Sequence, residues 1–456
     1  MGPAQQQGNM KKQIRNWWGG LKSLRRYPSL VAGLLIILAF IVASLYAVVA
    51  VPYSEAIRLW RGGPGVWDEN PKTAKPVWFD FFTTEKLSRT IRVTSQDQGT
   101  VHVEPLDDET DLVTIELPFN YDYDTFPREL NLFTNASTSL SASILWHTPD
   151  GRVITIREDR EFRGAPETYY ISQDSELLQR LGKRLAHVAL FADPQDEERV
   201  LKGDYQMALI AEVPQGGELS AKLVVYGEIQ GLAGTDHLRR DIALALLWGA
   251  PIGLIFGVLA AVGTTLITFL LSAVGTWLGG KTDSALQWLT QVNLIIPLLP
   301  VLIMFGYLYD RSIWTMLGLV IALNIFGSTM LTNRAMFLQA KESPYIEAAQ
   351  AYGAKNFRII FRYLMPRIAP TLLPQLVLIV PSFVFLEATL SVLGLGDPVM
   401  PTWGKVIYDG YNEGALYKGL YYWMVEPALL LMLLGIGFSL IGYSLDRIFN
   451  PRLRTV

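Results

Sequence analysis

Residues 347–366 read Glu347-Ala348-Ala349-Gln350-Ala351-Tyr352-Gly353, then Ala354 to Arg362, then Tyr363-Leu364-Met365-Pro366. The pattern is two short amphipathic helices broken at Gly353, where a residue without Cβ permits a sharp turn. Pro366 opens the apolar run that follows, at a helix start, where its missing N–H costs least. The surrounding segment is basic, with Arg334, Lys341, Lys355, Arg358, Arg362 and Arg367 against Glu342 and Glu347. Taken alone, it is either a rigid docking element or a surface loop with a solvated charged face.

Long apolar runs flank this element. About 20 apolar residues cross a bilayer, and such runs fall at 30–51, 252–278, 285–308, 313–333, 371–394 and 423–444. Six spans are therefore expected. No charge interrupts Ile242 to Gly280, and Gly249 and Pro251 divide that stretch, so 242–250 reads as a separate interfacial helix. The first run follows Lys11, Lys12, Arg15, Lys22, Arg25 and Arg26, with Trp17-Trp18 suited to the headgroup zone. A secretory signal cleaved near Val48-Val49-Ala50 is the other reading. Its apolar part exceeds the ~7–15 residues of such signals, which favours an uncleaved anchor.

The composition agrees. Of 456 residues half are hydrophobic and 18% charged, against about 25% charged in ordinary soluble domains. The chain has no cysteine, which removes disulfides, thiolate nucleophiles and Cys-ligated metal centres. The net charge of −3 conceals three regions: +6 over 1–51, −12 over 52–233 and +3 over 234–456. By the positive-inside rule, the N-terminal tail, the 335–370 loop and the tail bearing Arg447, Arg452 and Arg454 share the cytoplasmic side. The acidic block then lies outside, with Arg239 and Arg240 as a small dissent. The expected organisation is a cytoplasmic tail (1–27), a first transmembrane helix (28–51), an extracytoplasmic β-rich domain (52–233) and a core of five further helices (234–456).

Within the acidic block, Thr100–Val103, Leu112–Leu117, Leu140–Trp146, Val153–Arg157, Val188–Phe191, Gln206–Val213 and Leu219–Val225 have strand character. A hairpin is signalled at Trp146-His147-Thr148-Pro149-Asp150-Gly151 and a helix at Ser175–Leu185. Several short strands predict a sandwich. His102, His147, His187 and His237 lack metal-ligand spacing, and Asp107-Asp108-Glu109 with Asp111 lacks the glycine-turned calcium loop. Solvated or hydrogen-bonded histidines and a solvated acidic turn are expected, with calcium at the turn as the alternative, and no metal site. Asn135-Ala136-Ser137 fits the glycosylation pattern, which matters only where the machinery exists.

Gly275-Thr276-Trp277-Leu278-Gly279-Gly280-Lys281-Thr282 satisfies the phosphate-loop pattern. Such a loop needs a strand before it and a helix N-terminus after it. Here a bilayer-length apolar run precedes it, so the expected structure is the glycine-rich inner end of a span followed by an anchoring lysine.

The 347–366 spacing resembles the EAA loop of ATP-binding-cassette importer permeases, with Glu347, Ala348, Ala349, Gly353 and Pro366 in register; Tyr363 and Met365 replace the usual aliphatic pair. Further blocks are similar to the second permease type of the oligopeptide/dipeptide branch. Gly234-Thr235-Asp236-His237-Leu238-Arg239-Arg240-Asp241 matches a GTDxLGRD signature, with Arg239 where glycine is usual. Glu387-Ala388-Thr389-Leu390-Ser391-Val392-Leu393-Gly394-Leu395-Gly396 matches EAxLSFLGLG; Pro401-Thr402-Trp403-Gly404 follows, and Asn450-Pro451-Arg452-Leu453-Arg454 resembles a DPRLR tail. The likeness covers the first span and 234–456, whereas family members have a much shorter link where the acidic block stands.

The resemblance implies a six-helix type I importer permease fold with an inserted outer domain. It also implies a pathway shared with a second permease, two cytoplasmic ATPases, an extracytoplasmic substrate-binding protein and surrounding lipid, in a prokaryotic plasma membrane. Nucleic acid is not an expected partner. ATP and magnesium would sit on the ATPases, this chain binding no cofactor. Glu347 would touch the ATPase and Gly353 would hold the bend, the switch being rigid-body alternating access. Pro251, Pro297, Pro300, Pro374 and Pro381 lie in or near spans, where neighbours accommodate kinks.

Glu387, ionisable within an apolar span, is functional by default. A structural or interface role leads, with substrate contact and snorkelling to the outer surface as alternatives. Peptides are the expected cargo, with oligosaccharides, nickel or another solute as alternatives. A membrane receptor would need a larger cytoplasmic output domain than the ~35-residue loop, and a membrane enzyme would need a catalytic constellation that the outer block lacks.

Overall fold

The structure is a computed structural model that describes residues 27–96 and 99–449. The basic N-terminal stretch with Trp17-Trp18 and the closing Asn450 to Arg454 motif lie outside the described residues. Two compact units form: residues 27–60, 244–416 and 424–449, and residues 61–243 with 417–423.

The chain enters through α1 (Pro28–Ala50), 23 residues without a charge, with Pro28 in its first turn. Amphipathic α2 (Tyr53–Arg61) buries Ala56 and Trp60.

The second unit is a two-sheet sandwich preceded by a 3-10 turn at Val77–Phe82. Its strands are β1 (Ile91–Thr94), β2 (Thr100–Pro105), β3 (Thr110–Tyr121), β4 (Glu129–Ala136), β5 (Leu140–His147), β6 (Val153–Phe162), β7 (Glu167–Tyr170), then, after helices α3 (Ser175–Arg180) and α4 (Ala186–Ala189), β8 (Gly203–Pro214) and β9 (Leu219–Tyr226). One sheet runs β1-β9-β4-β7 and the other β2-β3-β8-β5-β6, every pairing antiparallel. β5 alternates buried and half-buried along its whole length, as a strand with one face on the core must. Leu130 and Leu132 of β4, Leu223 and Val225 of β9, Ile115 and Leu117 of β3, and Trp146, Met207 and Leu209 close one core between the sheets.

Six of the seven expected strands form. The seventh, Val188–Phe191, is overturned. Ala186–Ala189 is a helical turn whose following residues Leu190 and Phe191 plug the core, so the apolar run marks burial rather than extension. The hairpin at Trp146–Gly151 closes with Gly151 at φ +82°. The expected helix at 175 ends at Arg180, earlier than read, and is N-capped by Asp174, which accepts from Glu176 and Leu177 N–H. At the acidic turn Asp107 Oδ1 accepts from the Glu109 and Thr110 N–H groups, an internally bonded hairpin end. β1, β4 and β7 escaped the pattern because two are four residues long and β4 carries Asn131, Thr134 and Asn135.

The remaining helices are α5 (Ile242–Leu278), α6 (Gly280–Ile295), α7 (Leu298–Leu308), α8 (Ile313–Ile325), α9 (Ser328–Lys341), α10 (Pro344–Ala351), α11 (Asn356–Ile359), α12 (Met365–Leu390), α13 (Trp403–Asn412) and α14 (Tyr422–Phe449). Among the described residues, four helices can each cross a bilayer by length and composition, starting at Pro28, Ile242, Asn356 (with the π-turn that runs into α12) and Tyr422. Two bent pairs, α6 with α7 at 81° and α8 with α9 at 44°, each pass the same test jointly.

The separate interfacial helix at 242–250 is not seen. α5 runs unbroken for 37 residues with Pro251 inside it, about 55 Å at 1.5 Å per residue. Gly249 serves packing instead of a break: a Cβ there would lie 2.3 Å from Cδ1 of Trp403. Thr264, Thr268, Ser272 and Thr276 form a buried i, i+4 ladder on α5. The Thr268 hydroxyl donates to the Ile325 carbonyl at 2.9 Å, the close small-residue contact that joins helices where lipid offers no hydrophobic drive.

Candidate functional site

The element at 344–366 is built as a helix, a turn and a helix. Pro344 starts α10 in its first turn. Gly353 takes φ +76°, and its N–H donates to the Gln350 carbonyl at 2.8 Å. One face is anchored: Ile346, Ile359, Ile360, Leu364 and Ile368 pack with Phe269, Ala273, Trp277 and Phe337 in a single cluster. Trp277 Nε1 donates to Asn356 Oδ1 at 3.1 Å. Lys341 Nζ donates to the Thr276 and Trp277 carbonyls at 3.1 and 3.3 Å, capping α5 with a cation where the helix dipole is negative.

The other face is open. Glu347 and Ala348 are exposed while Ala349 is buried, and Pro366 lies in the first turn of α12. Tyr352 is 93% exposed and Phe357 78% exposed, with Phe357 stacked on Phe361 at 6.0 Å between centroids. The sequence reading passed over these aromatics. Their signal was an aromatic at 352, 357 and 361 on the side away from Ile346 and Ile360.

The phosphate-loop look-alike at 275–282 is the end of α5, the positive-φ pair Gly279 and Gly280, and the start of α6. Helix, not strand, precedes its glycines, so no phosphate cradle is built.

A second assembly joins the 387–396 and 401–404 blocks. α12 passes at Ser391 into a π-turn ending at Leu395, with Gly394 at φ +80°. Thr402 caps α13 by accepting from Lys405 N–H at 3.2 Å. Trp403 is buried, and its Nε1 donates to the Leu246 carbonyl at 2.8 Å in the α5 turn preceding Pro251. A Cβ on Gly404 would sit 2.7 Å from Ala388 Cα, and one on Gly396 2.9 Å from Ser391 Cα. Glu387 is 7% exposed and accepts from the Ser391 hydroxyl at 2.9 Å; Ser391 and Thr402 hydroxyl oxygens are 3.5 Å apart. The snorkelling alternative for Glu387 is thereby corrected. Its carboxyl is turned into packing within this chain, and the alternation of polar residues along α12 gave no sign of which way it faced.

The third assembly is the 234–241 signature. Gly234 has φ +73°, and a Cβ there would meet the Ala74 carbonyl oxygen at 2.5 Å. The Thr235 hydroxyl donates to the Pro71 carbonyl at 2.6 Å and accepts from Ala74 N–H at 2.9 Å, while Tyr422 donates its hydroxyl to the Thr235 carbonyl at 3.1 Å. Asp236 accepts from the N–H groups of Leu238 and Arg240 and pairs with Arg240 Nε at 2.5 Å. Asp241 accepts from Ala243 N–H at 2.9 Å in the first turn of α5; burial pushes its carboxyl up, against that hydrogen bond.

Arg239, standing where the signature has glycine, has φ +64°. Its guanidinium donates to Glu129 Oε2 and to the Asn70 carbonyl, each at 2.6 Å, and lies 4.6 Å from the Tyr226 ring centroid. Both arginines that ran against the charge pattern are thus neutralised by acids. Among the described residues no group of three His, Cys, Asp or Glu side chains is arranged to hold a metal.

The family model of the binding-protein-dependent transport system inner membrane component matches residues 249–455. The oligopeptide transport system permease protein OppC of Bacillus subtilis (strain 168) is 31% identical over 224 residues, 48% of this chain and 72% of that protein. The dipeptide transport system permease protein DppC of the same strain is 32% identical, over 48% of this chain and 68% of that protein. The peptidoglycan transport system permease protein YejE of Agrobacterium fabrum is 28% identical, over 48% and 56%. The helix–turn–helix at 344–366, the Glu387–Trp403 assembly and these matches coincide on one half of the chain, and the chain belongs to the oligopeptide/dipeptide permease branch of the binding-protein-dependent transport system inner membrane components.

Proposed function

We propose that this chain is a permease subunit of an ATP-driven importer of peptides, working beside a second permease and two cytoplasmic ATPases and receiving cargo from an extracytoplasmic binding protein. The observation that carries it is the 344–366 element, packed on one face and presenting Glu347, Tyr352 and Phe357 on the other. In this reading it is a lever whose exposed face docks on the ATPase. The names of the relatives support peptide cargo, since they include oligopeptide and dipeptide permeases.

In this reading the two bent pairs are spans, giving six, with the N- and C-terminal tails and the 335–370 loop in the cytoplasm of a prokaryotic cell. The sandwich faces outward. Arg239 and Arg240 are paired with Glu129 and Asp236 within that unit, and the cations concentrated in the 335–370 loop set the opposite side. ATP and magnesium belong to the ATPases, and this chain carries neither.

Glu347 takes the ATPase surface, and Gly353 lets the lever turn as a unit. The Glu387–Ser391–Thr402 network locks the outer end of α12 to α13, so that motion of the lever is transmitted along α12 instead of being absorbed at its far end.

Affinity purification of the full chain from its own cells tests this directly. Two ATPases, a second permease and a binding protein carrying peptide, identified by mass spectrometry, are the expected result. A binding protein loaded with oligosaccharide or nickel overturns the cargo, and recovery without any ATPase overturns the importer.

A further inference from the structure

The 3-10 turn Val77–Phe82, Val-Trp-Phe-Asp-Phe-Phe, is the least soluble-looking surface of the sandwich unit. Phe81 is 87% and Phe82 79% exposed, and Trp78 and Leu232 are exposed beside them. Monomeric soluble proteins seldom leave contiguous aromatic surface of this kind in water. The one charge in the turn is withdrawn: Asp80 accepts from Leu87 N–H at 3.1 Å and pairs with Arg89 at 3.2 Å. What remains outward is apolar.

The turn is held against the chain segments from which two long apolar helices depart. Val77 N–H donates to the Gly231 carbonyl at 2.9 Å and Trp78 Nε1 to the Leu232 carbonyl at 3.1 Å, ten residues before α5 begins at Ile242. Phe79 meets Tyr422, the first residue of α14, with centroids 6.2 Å apart. A ladder of rings then runs outward, Phe79 to Trp78 at 4.6 Å and Trp78 to Phe82 at 6.1 Å. Rings of Trp and Tyr with an apolar body and a polar tip concentrate at the bilayer–water boundary. A short apolar turn tied to the mouths of two spans meets that boundary by connectivity alone.

We infer that Trp78, Phe81, Phe82 and Leu232 form a lipid-inserting edge, by which the sandwich seats in the headgroup and upper acyl zone of the outer leaflet. The inference rests on reading α5 and α14 as spans. Electrostatics contributes little, since the edge is uncharged; buried apolar area holds it, as for interfacial anchors in general.

The chain has no cysteine, so single sites are labelled without background. Phe82→Cys, Leu232→Cys, Val153→Cys at the exposed β6 start and Leu429→Cys on the exposed side of α14 are each spin-labelled. The full chain is placed in nanodiscs of phosphatidylethanolamine and phosphatidylglycerol. Collision rates with oxygen and with a water-soluble nickel chelate are then compared. At 82 and 232 we expect oxygen to dominate and nickel collisions to fall at least threefold below those at 153, approaching the values at 429.

Nickel accessibility at 82 and 232 equal to that at 153 overturns the edge, because those side chains then face water. Exclusion of both reagents overturns it too, because protein then covers the patch. Water-like behaviour at 429 instead removes the span reading beneath it, a failure distinct from either.

Discussion

Arg239 Nη2 donates to Glu129 Oε2 at 2.6 Å, with only 10% and 15% of the two side chains exposed. The arginine sits in the signature that precedes α5, and the glutamate begins β4 of the inserted sandwich. The residue that departs from the signature therefore meets a residue of the sandwich. The pair ties the segment before α5 to a strand of the sandwich.

Removing the arginine should cost stability despite relieving its backbone. A non-glycine residue in the left-handed region is strained by about 1–2 kcal/mol, which Arg239→Gly recovers. Breaking a buried ion pair from one side costs about 3–5 kcal/mol, and Glu129 Oε1 is already buried with no hydrogen-bond partner. The net expectation is a loss of about 1–4 kcal/mol, or roughly 3–15 °C in the unfolding midpoint of a unit this size. Thermal unfolding of the full chain in detergent measures it. Adding Glu129→Gln to Arg239→Gly should restore part of the loss, and strict additivity would show that the two do not interact.

Asp174 gives the sandwich an acid-sensitive corner. Burial works against its charge, but the Tyr169 hydroxyl, the Leu177 and Glu176 N–H groups and the nearby Arg157 hold the carboxyl below the usual aspartate value. A carboxyl lowered by folding contributes stability above its unfolded pKa, about 3.9, and loses it as pH falls through the folded value. Asp174→Asn keeps an N-cap oxygen but loses the charge that Arg157 and the donors favour, and should be less stable than wild type at pH 7 by about 1 kcal/mol, the gap between hydrogen bonds to charged and to neutral acceptors. The difference should shrink as pH falls below 4. Unfolding midpoints of both chains from pH 7 to 3 test the convergence.

Close packing in the Glu387–Trp403 assembly makes a sharp glycine contrast. Gly404→Ala places a Cβ against backbone, 2.7 Å from Ala388 Cα and 2.8 Å from its carbonyl oxygen. Overpacking of this kind costs about 1–3 kcal/mol. Gly318→Ala in α8 has open space and should be neutral or favourable for the helix. Thermal midpoints of the purified variants should differ in that order, and equal midpoints would remove the packing argument.

Much of this was legible in the amino acids, for reasons tied to period. Strands with one buried face betray themselves by alternation, as β5 does, and α1 by length without charge. What periodicity cannot report is direction within an all-apolar helix. Glu387 had no polar stripe to show that it faced α13, and Gly249 and Pro251 looked like a break because Trp403, which fills the notch at Gly249, is 154 residues away. The run Leu190-Phe191 was misread because a core plug and a buried strand share one composition. Arg239 was visible as a departure from a signature, but its partner on β4 came from a strand too polar to recognise.

The lever itself supplies the functional test. Gly353 needs φ +76°, and its N–H donates to Gln350; proline fixes φ near −65° and removes that donor, so Gly353→Pro must reshape the turn between α10 and α11. No atom lies within 4 Å of a Cβ built there, so Gly353→Ala carries only backbone strain of about 1–2 kcal/mol and should keep most of the activity. Glu347 is exposed, and Glu347→Arg leaves the packed face of α10 untouched while inverting the charge at the proposed ATPase contact. In reconstituted complexes we expect Gly353→Pro and Glu347→Arg to lower cargo-stimulated ATP hydrolysis at least tenfold, with membrane insertion unchanged. Wild-type hydrolysis and transport by both would mean that this face does not carry the stroke, because the two substitutions act by different physics on one proposed contact.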